Sequence, residues 1–255
     1  MINNVLNSFC LIIGFMSVMF IVATIKRDNS LVDIGWGWGF IIIYLYNYIQ
    51  IDEPSLRQSI ITALIIIWGL RLSLYIYYRN RGKKEDFRYA KWRKQWGKLW
   101  LIRSFLQVFI LQGIILFLIA YPVFFLHNNS KNILFLDIMG IILWVIGFTI
   151  EAVSDWQKNI FKKDDKNKRK ILKTGLWKYS RHPNYFGEVL VWWAIFILIL
   201  NYDYGWLAVF SPITITCLIL FISGIPLLEE KHKNNKEYQE YARKTSIFIP
   251  WIPKK

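Results

Sequence analysis

GLWKYSRHPNYFGEVLVWW, residues 175–193, lies on the border between a basic, wet segment and an apolar one. Pro183 fixes φ and lacks a backbone N–H, so it suits the first position of a helix and pushes His182 toward extended backbone. A helix is therefore expected from about Pro183. Its first free N–H groups would point back toward Tyr179, Ser180, Arg181 and His182, and a helix N-terminus beside cations is a good place for an anion. From that start Asn184, Glu188 and Trp192 recur every four residues on one face, with Tyr185 adjacent. A lipid-facing Glu188 would be costly, so the Asn184/Glu188 pair points to a ligand site rather than an aromatic belt alone.

The sequence around this stretch is that of a membrane protein. Of its 255 residues 55% are hydrophobic and 18% aromatic. Apolar runs near the ~20 residues needed to span a bilayer fall at about 5–25, 34–51, 59–78, 105–126, 133–154, 185–200 and 205–227. This predicts an all-α polytopic bundle of about seven spans, a single integral domain over 1–255 with its cofactor-binding half at about 133–255.

The net charge of +15 is distributed by topology. Segment 79–103 holds ten Lys/Arg, 156–185 ten, the tail 229–255 seven and the link 26–33 two, whereas the alternate loops hold only Arg57 and Lys131. This is the positive-inside pattern, and it predicts an outside N-terminus and a cytoplasmic C-terminus. A nucleic-acid patch would not alternate with the spans. The first run is followed by Lys26 and Arg27 with no small-residue cleavage pattern, so it is read as a retained span. Cys10 and Cys217 lie in apolar runs, which argues against a disulfide framework or a cysteine metal site, and no metal ligand set is expected.

Polar residues near the ends of other spans supply the rest of the candidate chemistry. In SLVDIGWGWGF, residues 30–40, the glycines suit close helix packing, and no strand precedes them as a dinucleotide fingerprint requires. Asp33 there either caps a helix or faces a ligand. Arg71, inside the third run, either faces a cavity or snorkels. In 79–103, Gly82 marks a turn, much of the segment suits an interfacial helix, and Glu85, Asp86, Arg88 and Tyr89 cluster within five residues. The fifth run ends in IEAVSDWQKNIFKK, where Glu151, Asp155, Lys158 and Lys162 share one helical face. Gly175 then turns the chain into the 175–193 stretch, and Pro226 bends or ends the last span. The tail reads as an amphipathic helix, opened by Glu229 and Glu230 with Tyr238 and Tyr241 on one face, followed by a proline–aromatic anchor.

RHPNYFGE at 181–188, with SLVDxxWGxGF at 30–40, EDxRY at 85–89, EAxxDxQKxxF at 151–161 and PLLEE…YxxY…FIPW in the tail, resembles the steroid 5α-reductase C-terminal-domain family. The bacterial multipass proteins that carry this domain are the nearer match. The wider superfamily includes sterol reductases and isoprenylcysteine carboxyl methyltransferase. The resemblance covers most of the chain and implies a seven-helix enzyme, most simply of the bacterial inner membrane, that takes NADPH from the cytoplasm. It implies cofactor contacts at Asp155, Lys158, Lys162, Asn184 and Glu188, with Lys162 where relatives often carry Arg. Tyr179, Arg181, His182 and Tyr185 join them as candidates from the reading above. No motif places the reductases' substrate-polarising Glu and Tyr; Tyr89, Glu85 and Asp86 are the candidates for that donor and its neighbours. The expected reaction is NADPH-dependent reduction of a conjugated carbon–carbon double bond in a steroid-like or isoprenoid lipid, with membrane lipids as surroundings. The alternatives are S-adenosylmethionine-dependent methyl transfer and a non-catalytic lipid-binding protein of the same fold. The site requires the helix ends at 151–162 and 181–188 to touch.

Overall fold

Long apolar runs without partners in a sheet have one way to satisfy their backbone inside a bilayer, which is to coil. The computed structural model describes residues 2–128, 133–167 and 170–254, and its regular structure is helical apart from one isolated bridge between Ser180 and Ser246. Lys131, counted above in a poorly charged loop, and Lys168 and Arg169 of the basic linker lie outside the described residues. Among the described residues, five helical stretches are long and apolar enough to cross a membrane: Asn3–Lys26, Leu56–Asn80, Phe87–Ile119, Phe135–Lys163 and Gly205–His232. The other two expected spans are helical but differ in kind. Leu31–Tyr48 carries Asp33 and three glycines and buries much of its surface, while Pro183–Ile199 is shorter.

The chain forms two units. The first comprises Met1–Ile133 with Tyr202–Gly205. It contains α1 (Ile2–Lys26), α2 (Leu31–Tyr48), α3 (Leu56–Asn80), α4 (Phe87–Trp96), α5 (Trp100–Ser104) and α6 (Leu111–Ile119), with a π-helical stretch Phe105–Ile110 joining α5 to α6. α3 starts at a capping box: Ser55 N donates to Gln58 Oε1 at 2.5 Å and Gln58 N to Ser55 Oγ at 3.4 Å. α2 lies against α3 through small residues. A methyl group at Gly69 would meet the Gly37 carbonyl at 2.8 Å, and Ser73 Oγ donates to Ile34 O at 2.9 Å. The glycines of 35–39 are thus packing residues.

The second unit comprises Leu134–Asn201 and Trp206–Lys255. Its frame is the antiparallel pair α7 (Phe135–Lys163) and α8 (Pro183–Ile199), followed by α9 (Phe210–Cys217), α10 (Ile225–His232) and α11 (Lys236–Lys244). α8 starts at Pro183 as the sequence predicts. Contacts run from Gly140 to Ala194 and Leu198, from Gly147 to Gly187 and Leu190, and from Glu151 to Gly187, which fixes the antiparallel sense. The tail is two helices rather than one, because the chain turns after His232 and Asn235 recaps it by accepting from Tyr238 N at 3.2 Å.

Candidate functional site

The polar end of the second unit is assembled on α7. Gly175 has φ +63°, and a side chain there would run into Gln157. Gln157 Oε1 accepts from Leu176 N at 3.0 Å, and Trp177 Nε1 donates to Ser154 O at 3.1 Å. The segment before α8 is therefore fastened to the end of α7. The tail fastens its other side. Arg181 N donates to Ser246 O at 2.9 Å, Ser180 Oγ to Phe248 O at 2.7 Å, and Trp251 N to Tyr179 O at 2.9 Å. Tyr241 donates its hydroxyl to Trp177 O.

A cavity of about 110 Å³ lies between these pieces. α7 contributes Lys158 and Lys162, and the segment after it Lys170, Ile171 and Leu172. Trp177, Arg181 and His182 line it from the segment before α8, Leu228 and His232 from α10, and Tyr238 and Tyr241 from α11. Four cationic residues thus line one small space, with no carboxylate among its described lining residues. Lys158 Nζ stands 4.8 Å from the Trp177 ring centroid. Lys162 Nζ donates to Lys170 O at 2.8 Å and to Asn167 O at 3.2 Å. Arg181 Nε is buried without a hydrogen-bond partner among the described residues.

Just behind this cavity, Glu229 accepts from Arg181 Nη1 at 2.5 Å, from His182 Nε2 at 2.8 Å and from the Tyr238 hydroxyl. Burial lowers the His182 pKa, and the Glu229 carboxylate opposes that shift only in part. Burial raises the pKa of Tyr238 and Tyr241, reinforced at Tyr238 by the bond to Glu229, so both remain neutral phenols. The arrangement suits a polyanion: fixed cations, hydroxyl-bearing aromatic walls and a histidine able to take up a proton.

Of the nine cofactor candidates, the structure brings Lys158, Lys162, Arg181 and His182 into this cavity. Asp155 is buried on α7, and Asn184, Tyr185 and Glu188 are half-buried on α8; none of the four lines the cavity. Tyr185 stacks on the His182 ring at 5.8 Å between centroids. Tyr179 lines a separate shallow cleft with Pro250, Trp251 and Ile252. The required contact between helix ends is present, since a methyl group on Gly187 would lie 2.6 Å from Glu151 N. Sequence reasoning passed over Trp177, Glu229, His232, Tyr238 and Tyr241 as site residues. The PLLEE and YxxY motifs were the available signal for three of them.

The first unit gathers its own polar cluster. Tyr89 is buried, and its hydroxyl donates to Asp33 Oδ1 at 2.6 Å. Gln112 Nε2 donates to the Tyr89 oxygen at 3.4 Å. Arg88 Nη2 bonds Asp33 Oδ2 at 3.2 Å. Asp33 is therefore not a helix cap, because a buried phenol and a guanidinium take its carboxylate first. Asp86 caps α4 by accepting from Arg88 N at 3.0 Å, and its own N donates to Ser30 Oγ at 2.7 Å. Glu85 accepts from Asn29 N at 2.8 Å and from Arg93 Nη2 at 2.7 Å. These bonds tie segment 85–93 to the turn between α1 and α2. Of the three catalytic candidates, Tyr89 bonds Asp33 directly, Asp86 joins the cluster through Arg88 Nε at 2.9 Å, and Glu85 holds Asn29 N and the Arg93 guanidinium. Among the described residues no group of three His, Cys, Asp or Glu could hold a metal ion.

Fold and site together define an all-helical membrane protein that carries its polar chemistry at helix ends. The chain belongs to the family described as "Protein of unknown function (DUF1295)", whose model matches residues 19–245, within the steroid 5α-reductase-like superfamily. An uncharacterised protein of Schizosaccharomyces pombe is 27% identical over 231 residues, 77% of this chain and 64% of that one. 3-oxo-5-alpha-steroid 4-dehydrogenase 1 of Bos taurus is 30% identical over 115 residues, 44% of this chain and 41% of that one. Methanethiol S-methyltransferase of Crocosphaera subtropica is 24% identical over 214 residues, 78% of this chain and 79% of that one. The chain therefore spans less than two thirds of the length of the first two relatives. No solved structure matches it. Of the matched relatives with named activities, one is a steroid reductase and two are methyltransferases.

Proposed function

We propose that this protein is an NADPH-dependent membrane reductase of a conjugated carbon–carbon double bond in a steroid-like or isoprenoid lipid, resembling a 3-oxo-5α-steroid 4-dehydrogenase. The reading takes the chain as multipass, in a bacterial inner membrane, with its basic segments cytoplasmic. One observation carries it: Lys158, Lys162, Lys170 and Arg181 line one cavity, with no carboxylate among its described lining residues. NADPH carries about four negative charges, of which the 2′-phosphate supplies about 1.5 to 2. A pocket of about 110 Å³ admits its charged groups and not its whole bulk, since complete ligand sites run to roughly 300–1,000 Å³. Arg181 Nε, buried without a partner among the described residues, would be a further donor for such a group if the guanidinium turned toward it.

The lysines and Arg181 would hold phosphate oxygens, and Trp177, Tyr238 and Tyr241 would wall the site. When bound, NADPH supplies the hydride. In the first unit, Tyr89 would serve as the donor that polarises a substrate carbonyl. Its hydroxyl, which bonds Asp33 and accepts from Gln112 in this structure, would turn from Asp33 to donate to that carbonyl. Glu85 and Asp86 would act through the segment they hold.

The test is thermal stability of the detergent-purified protein with NADPH, NADH and S-adenosylmethionine, because a ligand of the folded state raises apparent stability. An NADPH shift that is lost in Lys158→Ala supports the reading. An NADPH shift unchanged in both Lys158→Ala and Arg181→Ala would mean that this cavity is not the site.

A methyltransferase is the second reading, favoured by an alignment with methanethiol S-methyltransferase that spans 79% of that enzyme. S-adenosylmethionine has a sulfonium and no phosphate, so the same cations would repel it. A shift with S-adenosylmethionine alone would select this reading.

A further inference from the structure

We infer that Glu229 is the positioning residue of the anion pocket: its single carboxylate fixes Arg181 and His182 in the orientation that receives a phosphate. The inference rests on the polyanion reading of that pocket and deepens it. Glu229 does not line the cavity, yet both Arg181 and His182 do, and both reach back to it, at 2.5 Å and 2.8 Å. A third donor, the Tyr238 hydroxyl, completes its shell. The three donors come from the segment before α8 and from α11, while Glu229 stands on α10. One carboxylate thus joins three pieces of chain that share no periodic relation.

The geometry sets what each bond does. The Glu229 bond uses Arg181 Nη1 and leaves Nε buried without a partner among the described residues. The guanidinium is planar and rigid, so fixing one nitrogen fixes the direction of the others. At His182 the bond occupies Nε2, which leaves Nδ1 as the ring's remaining polar atom. An anion in the cavity and the carboxylate behind it both favour the imidazolium, whose Nδ1–H can then donate. Among the described residues, the charged or titratable groups around His182 and its cavity are Glu229 and His232 from α10, Tyr238 and Tyr241 from α11, Lys158 and Lys162 from α7, Lys170 after it, Tyr185 from α8 and Arg181 beside it.

A positioning role makes a prediction opposite in sign to simple charge. Removing a negative charge beside an anion pocket should tighten anion binding severalfold by Coulomb's law alone. If Glu229 positions Arg181 and His182, Glu229→Gln should instead weaken it by about tenfold or more, as loss of an orienting outer partner does at metal sites. The experiment uses the full-length protein in detergent with two probes, NADPH and inorganic pyrophosphate, titrated by calorimetry between pH 6 and pH 8.5. For the wild type, affinity should rise as pH falls. In Glu229→Gln affinity should be lower, and its rise should move to lower pH, with the ligand-free melting temperature little changed. Tyr238→Phe should weaken binding by a smaller factor in the same direction, and it decides the matter if Glu229→Gln does not fold. Binding in the variants equal to or tighter than in the wild type overturns the inference and leaves the NADPH reading standing. A wild type that binds pyrophosphate and not NADPH overturns the NADPH reading, and the Glu229 comparison is then decided on pyrophosphate. Binding of neither probe overturns both.

Discussion

Gly187→Ala tests whether the α7–α8 crossing builds the pocket. Gly187 belongs to the RHPNYFGE motif, yet the structure gives it no ligand-facing role. A methyl group there would sit 2.6 Å from both Glu151 N and Gly147 O and 2.8 Å from Glu151 Cβ, where ordinary contact begins at about 3.4 Å. Two of these atoms are helix backbone and cannot turn aside, so the helices must separate. Overpacking costs about 1–3 kcal/mol, and backbone obstruction places this case at the upper end. Alanine's better helix propensity returns about 1 kcal/mol. The net expectation is about 2 kcal/mol of destabilisation, or roughly 4–8 °C in melting temperature for a chain of this size. Because Lys158 is carried by α7 and His182 leads into α8, the NADPH-induced shift should shrink as well. Gly14→Ala is the control. Nothing lies within 4 Å of a methyl group there, so it should be neutral or stabilising by up to about 1 kcal/mol. Differential scanning fluorimetry of both variants in detergent, with and without NADPH, is the assay. A Gly187→Ala protein that melts at or above the wild type would refute the packing argument.

Tyr89→Phe should keep the fold, since the ring stays buried and only one hydroxyl is lost. On an enone lipid substrate, turnover should fall by a factor on the order of 10²–10³, as when one oxyanion donor is removed. Turnover at the wild-type rate would dismiss Tyr89 as the donor. Arg181→Lys should weaken NADPH binding although it conserves charge, because an ammonium cannot hold Glu229 and present a second donor at once; a dissociation constant equal to the wild type's would show that point charge suffices. The His182 pKa is lowered from the ordinary 6.5, so the unfolded chain binds the extra proton first. Stability from this group is then complete above pH 6.5 and is lost as pH falls toward the folded-state pKa. Ligand-free melting curves should show that acid loss, His182→Gln should reduce it, and saturating NADPH should oppose it; identical acid profiles in wild type and variant would contradict the assignment.

How far the sequence carried depends on the range of each interaction. Pro183 as a helix start, Gly175 as a turn with φ +63° and the helix from Glu151 through Lys162 are local matters of backbone geometry, and local pattern reported them correctly. The polytopic helical character was equally plain, because about twenty apolar residues in a row have few other uses. The Asn184/Glu188 spacing did define a face, but spacing does not say which neighbour that face meets. The tightest polar clusters were hidden for a different reason. Tyr89 and Asp33 lie 56 residues apart, and Glu229 lies 48 from Arg181 and 47 from His182. Such pairs leave no periodic trace, and in a chain with 32 Lys/Arg against 17 Asp/Glu, choosing a cation's partner by composition alone is guesswork.

The few acidic residues explain the charge logic of the second unit. Glu229 takes one cation, Arg181, and also holds His182, which burial keeps toward the neutral form. Lys158, Lys162 and Lys170 also line the cavity, with Lys162 Nζ held by the Asn167 and Lys170 carbonyls. Reductase and methyltransferase relatives share this superfamily, so the bundle by itself does not choose a cofactor. Net charge is what distinguishes the two cofactors most simply, because one is a polyanion and the other carries a sulfonium. Three lysines that line a space of about 110 Å³ give it a positive potential. A sulfonium cofactor would meet that potential unfavourably and a pyrophosphate favourably. That difference is the ground on which the proposed reading prefers the dinucleotide.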